Sequence, residues 1–321
     1  MTEQLNVQQM AEKLLAADNI LILCHKNPDG DTVGCGSALY YALLALEKHA
    51  AVLCADPIPG RYAFTNPRLF KGEFEPQIVV AVDVASVQLF GEGNGVPQYT
   101  RHVDLCIDHH AGNSGYAEFT LLDGSAAAAA ELLYEVICAM HVEITPHIAD
   151  CLYTGLSTDT GCFVYSNTTP RTHRIAAALM DCGIDAAPVN KALFRTKSRT
   201  RLAMEAWMAE WAEYYDHDRV VVMQIPLSLC LDYKATEADV EELSSLAALV
   251  EGTDCGVTLR ELKDGRVKIS LRTGPRVNAT EVCALLGGGG HAAAAGATLH
   301  GTLSEVKQAV LQAIDMVAGE D

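Results

Sequence analysis

At 321 residues, half of them hydrophobic, the chain is long for one core and comfortable for two domains. Its 23 basic residues face 41 acidic ones, a formal charge of -18, which argues against a surface that tracks long nucleic acid by neutralising phosphates. Eleven cysteines without a C-x-x-C pair argue against a disulfide framework and a closed structural zinc site.

In chain order, residues 7–17 have helical spacing and predict an opening helix. The apolar run Ile20-Leu21-Ile22-Leu23-Cys24 predicts a strand buried on both faces. It delivers His25 and the loop Lys26-Asn27-Pro28-Asp29-Gly30-Asp31, which Pro and Gly bend into a tight turn. A helix from Val33 to Leu46 follows, then a strand at Ala51–Cys54 and another at Ile78–Val82, tipped by Asp83. After a polar segment at 90–102, Leu105-Cys106-Ile107 leads to the triplet Asp108-His109-His110. Strands alternating with helical segments predict an α/β domain with a mainly parallel sheet. Helices are expected over Ala126–Met140, over His147 to about Leu156, and from Thr169-Pro170 to Met180; the second leads into the loop Ser157-Thr158-Asp159-Thr160-Gly161.

The catalytic domain is thus expected at 1–187 and a helical linker at 188–216. The linker carries Lys191, Arg195, Lys197, Arg199 and Arg201, read as a solvated face or as a positive rim guiding phosphates. A smaller α/β domain at 217–321 is expected to hold a strand at Val220–Met223 and a helix around 236–250. A hairpin, 254–262 with 266–272, turns at Asp264-Gly265. A helix near 279–286 meets Gly287-Gly288-Gly289-Gly290-His291, a packed run Ala292–Ala295 follows, and a helix from about Leu303 to Val317 closes the domain. The N-terminus lacks a basic n-region and an apolar core, and no run approaches the ~18 apolar residues of a membrane span. A cytoplasmic protein without a membrane partner is expected.

His25, Asp29, Asp31, Asp83, Asp108-His109-His110 and Asp159 gather around expected strand ends and tight turns. Carboxylate and imidazole together suit hard or borderline divalent metals such as Mn²⁺, with no thiolate needed. Asp29 and Asp31 could direct their carboxylates to two ions, with Asp83 between them, an arrangement suited to hydrolysis at phosphorus. Each residue also has a plainer reading: Asp29 and Asp31 satisfying turn donors, Asp83 capping a helix, Asp159 in an Asx-turn. The glycine run reads either as a flexible loop or as a cradle of main-chain N–H groups for an anion.

These motifs resemble those of the DHH phosphoesterase family, in the branch that degrades nanoRNA and 3′-phosphoadenosine 5′-phosphate (pAp), relatives of the RecJ exonuclease. The resemblance rests on HKNPDGD at 25–31, Asp83 in VAVDVA, IDHH at 107–110 and STDTGCF at 157–163. In the second half it rests on SLRT at 270–273 and GGGGHAAAAG at 287–296, which are similar to the DHH-associated domain. It implies two divalent ions, Mn²⁺ first with Mg²⁺ or Co²⁺ tolerated. One would be held by His25, Asp29 and Asp83, the other by Asp31, Asp83, His109 and Asp159, with Asp83 bridging. It implies His110 and Asp108 as catalytic residues, His110 orienting the scissile phosphate or assisting the leaving oxygen. Arg272, Gly288, Gly289, Gly290 and His291 would grip the substrate's terminal phosphate or nucleotide. The implied substrates are pAp, pApA and RNAs of two to five residues, not long duplexes; a homodimer is compatible. Cys35 and Cys162 stand where relatives often carry Ser. An inorganic pyrophosphatase and a non-catalytic nucleotide sensor are the rival readings.

Overall fold

The structure, a computed structural model, describes residues 2–318, apart from the side chains of residues 241 and 242. The chain forms two compact units, Met1–Thr196 and Lys197–Asp321. The division falls inside the 188–216 segment.

Unit 1 contains strands β1 (Glu3–Gln4), β2 (Ile20–Leu23), β3 (Ala50–Leu53), β4 (Ile78–Val82), β5 (Leu105–Asp108) and β6 (Phe119–Leu122). They form one parallel sheet in the order β1-β6-β5-β4-β2-β3. Its helices are α1 (Val7–Ala16), α2 (Gly30–Ala45), α3 (Ala129–Ala139), α4 (Pro146–Asp159), α5 (Pro170–Asp181) and α6 (Ala186–Asn190). Alternate residues of the central strands feed two cores. Ile20, Ile22, Val80 and Val82 join the helices on one face. Leu21, Leu23, Val79 and Ala81 pack on the other face against Phe70, Phe90, Val96 and Val103, from segments that are largely irregular or 3₁₀. Burial on both faces is why these strands read as continuous apolar runs. Because the strands are parallel, His25, Asp83 and His109 all emerge at one carboxyl edge, where open α/β sheets hold ligands.

Several expected boundaries move, with physical causes. Helix α2 starts at Gly30, not Val33, so Asp31 lies in its first turn while Asp29 caps it. Helix α3 starts at Ala129, because Ala126–Ala128 precede the helix and Ala128 is extended. Helix α4 runs on through Asp159, which therefore sits on a helical turn instead of a loop. Strands β1 and β6 were not expected: both are short, and β6 lies in polar surroundings that hide it.

Unit 2 contains α7 (Arg199–Glu210), β7 (Glu213–Tyr215), β8 (Val220–Ile225), α8 (Leu227–Asp232), α9 (Glu237–Glu241), β9 (Cys255–Glu261), β10 (Arg266–Thr273), α10 (Ala279–Leu285), β11 (Gly289–His291), β12 (Ala294–His300) and α11 (Leu303–Ala318). Its sheet is mixed, in the order β11-β12-β10-β9-β8-β7, with only the β8–β9 pair parallel. The helix expected over 236–250 is the short α9 followed by 3₁₀ turns to Leu249. The run Ala292–Ala295 is not a packed segment. Ala292 and Ala293 are exposed in the turn joining β11 to β12, and only Ala295 is buried.

Candidate metal centre

Close helix packing brings the acidic groups together. A Cβ at Gly34 of α2 would lie 2.3 Å from the Cys151 carbonyl of α4, and one at Gly155 would lie 2.4 Å from Asp31 Oδ1. Without these side chains, α2 and α4 approach closely enough to bring Asp31 near Asp159.

His25 leaves β2 with Nδ1 2.8 Å from the Lys26 carbonyl. A proton on Nδ1 directs the lone pair of Nε2 into the site, an orientation typical of ligating histidines. Nε2 lies 3.5 Å from Asp29 Oδ1 and 3.7 Å from Asp83 Oδ2. Asp83 follows β4 in the left-handed region (φ 59°) with its N–H donating to the Ile107 carbonyl at 2.9 Å, so β5 holds the turn. Its other oxygen, Oδ1, faces His109 Nε2 at 3.5 Å and His110 Nδ1 at 3.6 Å. His109 in turn has Nδ1 3.2 Å from the Ala126 carbonyl, and Nε2 3.2 Å from Asp159 and 4.0 Å from Asp31.

Asp31 is fully buried and does two jobs. Its carboxylate accepts from the Ala129 and Ala130 N–H groups at 2.6 and 3.1 Å, capping α3, whose own cap residue Ala128 has no side chain to offer. The Cys35 thiol, one turn along α2, also donates to it at 3.3 Å. The satisfied-donor reading and the ligand reading of Asp31 are therefore compatible: the cap holds the carboxylate still beside His109. Asp29 likewise accepts from the Asp31 and Thr32 N–H groups.

At this edge three groups place ligand atoms within 4.8 Å of one another: His25/Asp29/Asp83, Asp31/His109/Asp159 and Asp83/His109/His110; a fourth such group, His102/Asp104/Glu118, shares no residue with them. Asp83 turns one oxygen to His25 and the other to His109. Asp83 Oδ1 and His109 Nε2 are buried and lack a hydrogen-bond partner, although each lies near a group of opposite potential charge. Buried polar atoms are rarely left so, and nitrogen and oxygen donors aimed at a common point suit a hard or borderline divalent cation. The residues fit such a group.

The electrostatics agree. Burial, then repulsion from Asp83 and Asp159, pushes the Asp31 carboxyl well above its ordinary range. Burial also lifts Asp159 to about 6, against the pull of His109 and with repulsion from Asp83. Burial opposes charge on the two imidazoles, but Asp29 and Asp83 carry His25 up to about 11, and Asp159 and Asp83 carry His109 up to about 12. Without a cation, protons hold this cluster together; a divalent ion would replace them.

Asp108 is outside the three groups. Its buried Oδ1 accepts from His110 Nδ1 at 2.7 Å and from the His109 and His110 N–H groups at 2.9 and 3.3 Å. This pairing raises the pKa of His110, the Asp108 hydrogen bond acting first against burial. Asn113, which no motif in the sequence singles out, donates through Nδ2 to the other oxygen of Asp108 at 2.6 Å.

The remaining candidates belong to unit 2. Arg272 is the penultimate residue of β10, opposite Gly256 and Ala294, with Nη1 donating to the Leu271 carbonyl at 3.1 Å. Gly289, Gly290 and His291 form the exposed edge strand β11, paired with β12, so this part of the glycine run is not a flexible loop. Gly288 lies against β12, where a Cβ would meet the Gly296 carbonyl at 2.2 Å.

The DHH family N-terminal domain matches residues 19–156 and the DHHA1 domain residues 217–320. The chain is 34% identical over 315 residues to the bifunctional oligoribonuclease and PAP phosphatase NrnA of Thermus thermophilus, covering 95% of this chain and 92% of that protein. It is 25% identical to the probable bifunctional oligoribonuclease and PAP phosphatase NrnA of Streptococcus mutans, covering 89% and 91%. Among solved structures, an exopolyphosphatase-related protein from Bacteroides fragilis aligns with a TM-score of 0.87 at 23% identity, over 96% of this chain and 95% of that one, a likeness of fold.

Proposed function

The chain belongs to the DHH family, and from that premise we propose that it is a metal-dependent phosphoesterase hydrolysing short oligoribonucleotides and pAp. The observation that carries the reading is Asp83, whose two oxygens face two separate ligand groups, 3.7 Å from His25 Nε2 and 3.5 Å from His109 Nε2. His25, Asp29 and Asp83 would hold one divalent ion, and Asp31, Asp83, His109 and Asp159 the other. Mn²⁺ is the assignment, with Mg²⁺ and Co²⁺ as tolerated substitutes. Bound there, the ions supply the Lewis acidity and water activation that phosphoester hydrolysis needs.

The protein's own groups do the rest. Asp83 would offer one oxygen to each ligand group, and the α3 N-terminus fixes Asp31 so that it does not need to reorganise during the reaction. His110, its Nδ1 tied to Asp108, turns Nε2 away from Asp108 to orient the scissile phosphate or assist the leaving oxygen. Arg272, Gly288, Gly289, Gly290 and His291 are assigned to the substrate's terminal phosphate or nucleotide. The domain assignment is catalytic at 1–187, linker at 188–216 and substrate-binding at 217–321. A net charge of -18 fits substrates of two to five residues better than long RNA. No described helix is long and apolar enough to cross a membrane; the proposed location is the cytoplasm.

A turnover panel with Mn²⁺ tests this: pAp, pApA, short RNA, cyclic dinucleotides and pyrophosphate, side by side. Turnover of pAp and pApA above the others is expected. Pyrophosphate as the best substrate would make the protein a pyrophosphatase, and no turnover of any would make it a nucleotide sensor.

A further inference from the structure

We propose that Asn113 is a positioning residue that aims His110 by anchoring Asp108; the inference rests on the reading of His110 as the group serving the leaving oxygen. Asn113 Nδ2 donates to Asp108 Oδ2 at 2.6 Å and reaches the Val84 carbonyl at 3.3 Å. Its Oδ1 accepts from the Gly115 N–H at 2.8 Å, and its own N–H donates to the His110 carbonyl at 2.9 Å. Three acceptors at one end of the amide, Cys106 Sγ at 3.7 Å being the third, and a donor at the other leave a single sensible orientation for the group. The amide therefore presents hydrogen to Asp108 and cannot flip without losing these side-chain contacts.

The consequence passes along the chain of bonds. Asp108 is fully buried, and the donor on Oδ2 sets the plane of its carboxylate. Oδ1 is thereby turned towards His110 Nδ1 at 2.7 Å. His110 is the more exposed partner, with 40% of its side chain accessible, and a second acceptor lies close by: Asp83 Oδ1 at 3.6 Å. If Asp108 turned away, the imidazole would swing towards Asp83, losing its aim and burdening the bridging carboxylate. Asn113 keeps Asp108 the better acceptor.

The experiment compares Asn113→Ala, the isosteric Asn113→Asp and His110→Ala with the wild-type protein. Each is assayed on pApA, whose ribose leaving oxygen needs assistance, and on a nitrophenyl phosphodiester, whose leaving group departs without it. Mn²⁺ binding and thermal melting are measured alongside. A general acid contributes on the order of 10²–10⁴-fold, so partial misalignment should lower kcat on pApA about tenfold or more, with KM and Mn²⁺ binding within about twofold of wild type. The loss on the nitrophenyl ester should be far smaller. Asn113→Asp, which sets a carboxylate against Asp108, should be worse than Asn113→Ala on pApA despite its matching shape. Equal losses of Asn113→Ala on both substrates, lost Mn²⁺ binding, or wild-type kcat would overturn the proposal. The two readings separate through His110→Ala. If that variant itself shows no difference between the substrates, the role given to His110 is wrong and the positioning role falls with it. If it does and Asn113→Ala does not, only the positioning role falls.

Discussion

Replacing Asp83 by Asn changes the charge of the proposed bridge and little else. Asn has the same shape and tolerates the left-handed backbone at this position (φ 59°), whereas Ala would add backbone strain to the readout. The amide keeps one weak acceptor and turns an NH₂ towards either His25 or His109, so the two ligand groups can no longer share one negatively charged carboxylate. With Mn²⁺ at a hundredfold excess over its dissociation constant, one bound ion stabilises the wild-type protein by about 2.7 kcal/mol. For a unit of this size ~1 kcal/mol moves the melting temperature by ~2–4 °C, which makes a rise of about 5–10 °C. Asp83→Asn should lose most of that rise while melting near wild type in chelator, and kcat should fall by at least ~10²–10³-fold, the cost of one transition-state electrostatic contact. Differential scanning fluorimetry with and without Mn²⁺, beside turnover of pApA, measures both. An undiminished Mn²⁺ shift, or a rate within tenfold of wild type, would refute the bridging assignment.

Metal binding should release protons. In the metal-free protein His25 and His109 titrate near 11 and 12, held up by their aspartates against burial, so each carries an extra proton at pH 7 that a ligand nitrogen must shed. Affinity for Mn²⁺ should weaken as pH falls from 8 to 6, and calorimetry in two buffers of different ionisation enthalpy should count the released protons; a count of zero contradicts the ligand set. Arg272→Ala and His291→Ala should raise KM for pApA about tenfold with an unchanged Mn²⁺ titration, and lost Mn²⁺ binding would move them into the metal site. On an RNA ladder from two to about twenty-four residues, rates should fall beyond a few residues with a shallow salt dependence. Equal efficiency along the ladder, or a steep salt slope on the longest member, would indicate a long-tract nuclease.

Much of this protein is written in local pattern. Ile20–Leu23, Ile78–Val82 and Leu105–Ile107 are apolar without interruption because both faces of the sheet are buried, and such runs can be read without coordinates. Once they are known to be parallel, the residues after each run must share an edge, which is why His25, Asp83 and His109 stand together. Local pattern alone does not tell what holds Asp29 and Asp31 in place, two residues apart in one motif. Tertiary structure separates them: Asp29 caps its own helix, while Asp31 caps α3, 98 residues away, in space left by Gly155. The extension of α4 through Asp159, the hairpin made by the glycine run and the role of Asn113 were equally hidden. Periodicity reports which face of an element meets solvent. It carries no record of which distant backbone N–H or carboxylate a polar side chain will meet, because that depends on how closely two helices approach and where a loop is pinned.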